Sequence, residues 1–450
     1  MTAVLSAPFT TPAPFTTPAP LTTPVPSPRH TPVVDTETIP PLAQVVGADE
    51  CVPCSTGETV RYANLDYAAS APALAAVAQT VTNSLSQYAS VHRGAGHLSQ
   101  VTTARYEQAR EVIRDFVRAR ADDAVVFTRG TTDAINLAAH ATRGDVVVLD
   151  IEHHANLLPW CAPARDGSSR VRVVGACATI DDTLAALEAE LAAAPAALLA
   201  VTAASNVTGE VLPIGRLASI AHRNGARILI DAAQLVAHRR VSMVGHGIDY
   251  LVFSGHKLYA PFGAGVLIGR QDWLDAAEPY LAGGGASASV SFGDTGTDTA
   301  IAWHAGPARH EAGSPNVLGA VAIAAACEAL DAVGFEHIGL HEELLRARLD
   351  DGLATIDGVT ELRIFEDSTD RVGIAGFDVD GHTPREVAVF LSERAGIGVR
   401  DGKFCAHPLL NRLGYPDGAV RASFGLGTGS GDIDRLVGAL ATLTTRARAR

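Results

Sequence analysis

Short apolar runs punctuate the middle of the chain at residues 124–127, 146–149, 198–201, 228–230, 250–253 and 265–268. Each is about four residues of mostly β-branched, Leu or aromatic character, the pattern of a buried strand. Between several of them the apolar period changes to that of a helix. Over residues 102–119, for example, Tyr106, Ala109, Ile113, Phe116 and Val117 fall on one helical face. Strands alternating with helices predict an α/β fold with a mostly parallel sheet.

The residues just after the runs are polar and reactive. They read Thr128-Arg129-Gly130-Thr131-Thr132, Asp150-Ile151-Glu152-His153-His154, Ser205-Asn206, Asp231-Ala232-Ala233-Gln234 and Ser254-Gly255-His256-Lys257. Ligands of open α/β sheets bind beyond the C-terminal strand ends, so these clusters converging on one edge predict a cofactor pocket. Gly130 to Asp133 opens a helix predicted over 133–140. Free backbone N–H groups there suit a phosphate, though a plain Thr cap has the same pattern. Asp231 closes a buried run and needs a partner, either a protonated heterocyclic nitrogen or a cap. Gln234 stands three residues on, placed to donate to the same ring. Lys257 follows Ser-Gly-His at a strand end, where desolvation lowers an amine's pKa and favours Schiff-base chemistry. Ser254 and His256 are placed beside it for a phosphate. His153 has no metal-ligand spacing; it reads as a ring stacked on a planar cofactor or as a structural histidine. No metal site is expected.

Residues 310–450 have a different texture. Helical patterns at 318–333, 338–355, 384–396 and 432–445 surround short strand-like pieces at 362–365, 372–377, 397–400 and 419–424. They predict a smaller α+β domain. At the other end, residues 7–24 repeat APFTTP, APFTTP, APLTTP. Proline removes backbone donors and the segment has little apolar surface, so residues 1–45 are expected to be a disordered tail. Residues 46–75 are read as a segment packing near the small domain, 76–310 as the large domain and 311–450 as the small one.

Composition narrows the function classes. The net charge is −14, which argues against nucleic-acid binding. Six scattered cysteines make no disulfide framework and suggest a reducing compartment, so a cytoplasmic location is expected. No apolar run is long enough for a membrane span, and no basic start with an apolar core marks a signal peptide. Cys51-Val52-Pro53-Cys54 is a lone CxxC with no second metal-binding half.

Together the motifs LDYAAS (65–70), VHRGAGHLS (91–99), FTRGTTDAINL (127–137), EHHANLLPW (152–160), SNVTGE (205–210), DAAQ (231–234), FSGHKLYAPFGAGVL (253–267), EAGSPN (311–316), RDGKFCAHP (400–408) and RAS (421–423) occur in order. This chain resembles the class V aminotransferase-fold enzymes that use pyridoxal 5'-phosphate (PLP), and within them the SUF-type cysteine desulfurases and selenocysteine lyases. The resemblance covers roughly residues 61 to 445. It implies the fold type I architecture: a large domain with a mostly parallel seven-stranded sheet, plus a smaller α+β domain. It implies that Lys257 carries the cofactor as a Schiff base, that Asp231 pairs with the ring nitrogen, and that Gln234 and Asn206 lie near the phenolic oxygen. His153 stacks on the ring and relays protons. Thr131, Thr132, Ser254 and His256 bind the phosphate. Arg421 binds the substrate carboxylate, with Asn206 and Arg400 in the substrate site. Cys405 takes sulfur from the substrate as a persulfide.

The expected activity is removal of sulfur from L-cysteine, or a related sulfur or selenium amino acid, with alanine as product. A sulfur-acceptor protein, a homodimer and a place in iron–sulfur cluster assembly follow from the same resemblance. Alternatives are a selenocysteine lyase, another carbon–sulfur lyase or an epimerase of this fold, or a non-catalytic partner protein. Two motifs depart from the family. Lys403-Phe404 stands where relatives carry His-His before the cysteine. Ala300-Ile301-Ala302 stands before Trp303 in place of Gly-Thr-Thr, leaving Thr295, Thr297 or Thr299 to reach a partner's phosphate.

Overall fold

A computed structural model describes residues 38–448 except 93, 162–169 and 294–298. The Pro/Thr repeats lie outside the described residues. Residues from Thr38 onward form one compact unit.

At its centre is a seven-stranded sheet. Its strands in chain order are β1 (Asp123–Thr128), β2 (Val146–Leu149), β3 (Val171–Val174), β4 (Leu198–Thr202), β5 (Arg227–Asp231), β6 (Tyr250–Ser254) and β7 (Gly265–Arg270). Their spatial order is β1-β7-β6-β5-β4-β2-β3. All neighbours pair in parallel except at β7, which is antiparallel to both β1 and β6. Six of these strands coincide with the apolar runs. The exception is the edge strand β3: its exposed Val173 and the intervening Arg172 break the apolar pattern. Val147, Leu199, Ile228 and Leu251 are fully buried, because helices cover both sheet faces.

Helix α1 (His97–Phe116) buries Tyr106, Ala109, Ile113 and Phe116, as its periodicity predicts, and Val117 is its C-cap. Helix α3 (Val317–Val333) packs against α1 through Val317, Ala320, Val321 and Ala324. Ile323 and Cys327 join the core of the seven-stranded sheet. A helix assigned by sequence to the C-terminal domain therefore packs with the large sheet. Its apolar surface runs all round, so it suits burial between layers.

A second sheet follows: β8 (Val359–Glu361), β9 (Ile374–Val379), β10 (Arg400–Gly402) and β11 (Ala419–Ser423), in the order β8-β9-β11-β10. Its core of Phe377, Val387, Val420 and Leu436 is separate from the first. Residues 362–365, read as a strand, are irregular. The Glu210 carboxylate takes the Ile364 and Phe365 N–H groups at 2.8 and 3.0 Å, which withdraws them from a sheet ladder.

Residues 38–45, grouped with the tail on composition, are docked. Ile39 N–H donates to Ser430 Oγ, Leu42 and Ala43 N–H donate to the Leu426 carbonyl, and Val45 is buried. Beyond them, residues 63–64 pair with Ile397–Gly398, while Tyr67 and Ala68 enter the large core. This segment bridges both cores.

The strand ends that carry the polar clusters approach closely at one point. A Cβ on Gly265 would lie 2.5 Å from the Gly130 Cα. Gly265→Ala should therefore push β7 from β1 and cost about 1–3 kcal/mol, the usual range for overpacking. Its thermal unfolding midpoint should fall, and an unchanged midpoint would count against a tight contact at this corner.

Candidate active site

The C-terminal strand ends and the second sheet enclose a cavity of about 440 Å³. Every residue placed in the site from sequence lines it: Thr131, Thr132, His153, Asn206, Asp231, Gln234, Ser254, His256, Lys257, Arg400, Cys405 and Arg421. A larger groove of about 640 Å³ runs between α1 and residues 304–315 and holds none of them.

One end of the cavity is built for an anion. Helix α2 (Thr131–Ala141) starts there, and Gly130, not a threonine, is its N-cap. Thr131 is not spent on capping. Its N–H donates to Ser254 Oγ at 2.7 Å, and its own hydroxyl lies 2.7 Å from the same oxygen. His256 stands alongside, with Nδ1 buried and unpartnered. Burial and the adjacent Lys257 push its pKa down to about 4. Phe262 stacks on its ring at 5.2 Å.

Asp231 lies at the floor, 4% exposed, and its Oδ1 accepts the Ala233 N–H at 3.0 Å. Burial raises its pKa, with Ala233 and Lys257 opposing. A carboxylate at that depth is best matched by a cation. Gln234 donates through Nε2 to the Ala68 carbonyl at 2.9 Å, which fixes its amide toward the cavity. Lys257 sits one turn past β6. Burial lowers its pKa from 10.5 to about 8, against the opposing pull of Asp231. The amine is therefore a nucleophile close to neutral pH.

His153 is held in one tautomer. Its Nδ1 accepts the Ala155 N–H at 3.0 Å, so in the neutral ring the proton is on Nε2. Burial and the Lys257 charge push its pKa down to about 3. The ring is thus held neutral, with its proton on Nε2. Glu152, beside it, escaped sequence reading. It is fully buried; its oxygens accept Thr202 N–H at 3.0 Å and Asn156 Nδ2–H at 2.7 Å. Burial pushes its pKa to about 8. It anchors the histidine turn to β4, and a glutamate between Ile151 and His153 was its only signal.

Arg421 is 3% exposed on β11. Nη1 donates to the Asn206 carbonyl and Nη2 to Asp66 Oδ1, both at 2.9 Å, while Nε is buried without a partner. Asp66 is a second residue that sequence did not single out. Cys405 is exposed at the cavity's lip. Arg400, also exposed, pairs across the strands with Arg421.

Other sequence candidates lie elsewhere. Cys51, exposed, begins one strand of a two-stranded hairpin, and Cys54, buried, follows that strand; both are free thiols. Thr295 and Thr297 fall outside the described residues. Thr299 begins an exposed strand, Thr299–Trp303, paired with Ser287–Phe292. Among the described residues no cluster of metal-ligating side chains occurs, and no single helix is long and apolar enough to cross a membrane.

The site therefore offers a hydroxyl-rich anion end, a low-pKa amine, a deep carboxylate opposite it and two buried nitrogens awaiting partners. These features fit the phosphate, aldehyde and ring nitrogen of PLP. The family model "Aminotransferase class-V" matches residues 63–436. A cysteine desulfurase of Cronobacter sakazakii is 38% identical over 395 residues, covering 85% of this chain and 93% of its own. The solved cysteine desulfurase of Thermococcus onnurineus superposes with a TM-score of 0.78 at 31% identity, over 86% of this chain and 95% of its own. That of Escherichia coli superposes with a TM-score of 0.75 at 33% identity, over 86% and 95%. By matched length and by fold, this chain belongs to the class-V aminotransferase family of PLP-dependent enzymes.

Proposed function

We propose that this protein is a cysteine desulfurase: it removes the sulfur of L-cysteine, releases L-alanine and holds the sulfur as a persulfide on Cys405. The observation that carries the reading is an exposed thiol on the lip of a pocket that has a low-pKa lysine and a buried, partly unpaired arginine. Relatives named cysteine desulfurase support it.

When bound, PLP supplies an electron-accepting ring that weakens bonds at the carbons of an attached amino acid. The chain's own groups do the rest. Thr131, Thr132, Ser254 and His256 would hold the phosphate end, and Asp231 would pair with the ring nitrogen. His153 would stack on the ring, with its proton on Nε2. Gln234 and Asn206 would serve the oxygen-bearing side. Arg421 offers Nε–H to the substrate carboxylate, and Arg400 adds positive charge at the rim. Lys257, with a pKa of about 8, takes and returns protons at the substrate carbons. At Cys405 one C–S bond breaks and one S–S bond forms. The substrate carbon gains a hydrogen, so cysteine and the enzyme thiol become alanine and the enzyme persulfide. The balance needs no external oxidant or reductant.

The exposed Cys405 leaves the persulfide open to an acceptor thiol, which supports delivery to a partner protein and use in iron–sulfur cluster assembly. Phe262, Phe292, Val290 and Leu281 are each more than half exposed, which supports a homodimer that would cover them. Free thiols at all six cysteines suit a reducing cytoplasm.

Loaded protein given L-cysteine should form alanine, with Cys405 gaining the mass of one sulfur atom in intact-peptide mass spectrometry. Pyruvate as the main product, with Cys405 unmodified, would replace desulfuration by elimination.

A further inference from the structure

Phe404 and Cys405 both adopt left-handed backbone conformations, with φ of 51° and 53°. Neither is glycine, so each carries backbone strain. Three hydrogen bonds hold the pair in place. Asn206 Nδ2 donates to the Phe404 carbonyl at 2.9 Å, His154 N–H to the Cys405 carbonyl at 2.8 Å, and Ala406 N–H to the Lys403 carbonyl at 2.9 Å. Strain persisting under such restraint points to a geometry that serves a purpose.

The side chain of Phe404 supplies the purpose. It is 6% exposed, and its ring lies under the Arg421 guanidinium, 5.2 Å from the central carbon. The two hydrogen bonds of Arg421, to Asn206 and Asp66, direct Nη1 and Nη2. The ring supports the cation through its face. Asn206 closes a triangle: its side chain holds the Phe404 backbone and its carbonyl holds Arg421. Nε is buried and has no partner.

We infer that Phe404 is a positioning residue for carboxylate recognition: its ring seats Arg421 with Nε–H left for the substrate, and its backbone ties that seat to Cys405. The inference rests on the reading of Arg421 as the carboxylate site. Phe404 thus works as an aromatic platform, and substrate selection and sulfur acceptance share one loop.

The test uses the loaded enzyme and two unreactive probes, L-alanine and ethylamine, which differ by the carboxylate. Binding is read from the change in the cofactor's visible absorbance, alongside KM and kcat for L-cysteine. Phe404→Leu should weaken L-alanine binding and raise KM about fivefold to thirtyfold, the range expected for a desolvated cation–π contact, with a smaller change in kcat. Ethylamine binding should stay within about twofold, since only carboxylate contacts are lost. Phe404→Tyr should restore both. Phe404→Met, apolar but without a ring, serves if the leucine variant does not load. Equal weakening of both probes by the ring-less variants, or none, overturns the inference. Arg421→Lys separates the two layers. If it too leaves the ratio of the probes unchanged, the reading of Arg421 fails. If it alone changes the ratio, only the role of Phe404 fails.

Discussion

Lys257→Ala should remove the visible absorbance of the loaded protein and lower kcat/KM for L-cysteine by about 10³-fold or more, the combined scale of a lost covalent anchor and a lost acid–base group. The variant should still fold. Lys257 is a desolvated cation whose burial disfavours its charge, so replacing it with alanine relieves a cost. Circular dichroism would confirm that. The same amine sets a pH dependence. Its pKa is lowered from 10.5 to about 8, so the uncharged, nucleophilic form dominates above that pH and is lost as pH falls. Covalent capture of PLP by unloaded protein should rise about tenfold per pH unit below that point and level off above it. A capture rate still climbing steeply at pH 10 would mean an ordinary, solvated lysine. A normal visible band in Lys257→Ala after dialysis would sink the assignment of the anchor itself.

Cys405→Ser should abolish sulfur transfer while leaving the cofactor's spectrum unchanged. The hydroxyl is nearly isosteric but cannot form an S–S bond, so desulfuration should drop on the order of 10²-fold or more, the scale of a lost nucleophile. Cys405 is at the lip and Lys257 at the base of the same cavity, which is why one variant spares what the other destroys. The decisive measurement is alanine formation together with the absorbance spectrum. Full turnover in Cys405→Ser would falsify the persulfide route, leaving a fold whose cysteine does not take part.

Much of this site was legible because its residues follow apolar runs. The run before Asp231 and the run before Ser254 read as buried strands, and polar groups just past such strand ends are where ligands of an open α/β sheet bind. The edge strand Val171–Val174 was not, because one face is wet and Arg172 breaks the pattern. Residues 362–365 have a strand's composition, but a glutamate more than 150 positions earlier takes their N–H groups. The most consequential miss is of the same kind. Nothing in RDGKFCAHP tells that Phe404 lies beneath Arg421 or that its backbone is left-handed; both are products of distant contacts. Asp66, 355 residues from its partner Arg421, has no local signal of its role.

That last pairing also bears on how the chain is made. The cavity draws on residues near position 66 and on residues up to 421, and such remote contacts form late because the intervening loop must close first. A ribosome releases the turn bearing Lys257 long before the strand bearing Arg421. Until the final strand docks, the pocket has Lys257 and its anion end but neither Arg421 nor Cys405. That arginine and that thiol therefore arrive together, in the last part of synthesis. A chain cut short before residue 400 lacks both at once, and with them the groups proposed for carboxylate recognition and sulfur transfer.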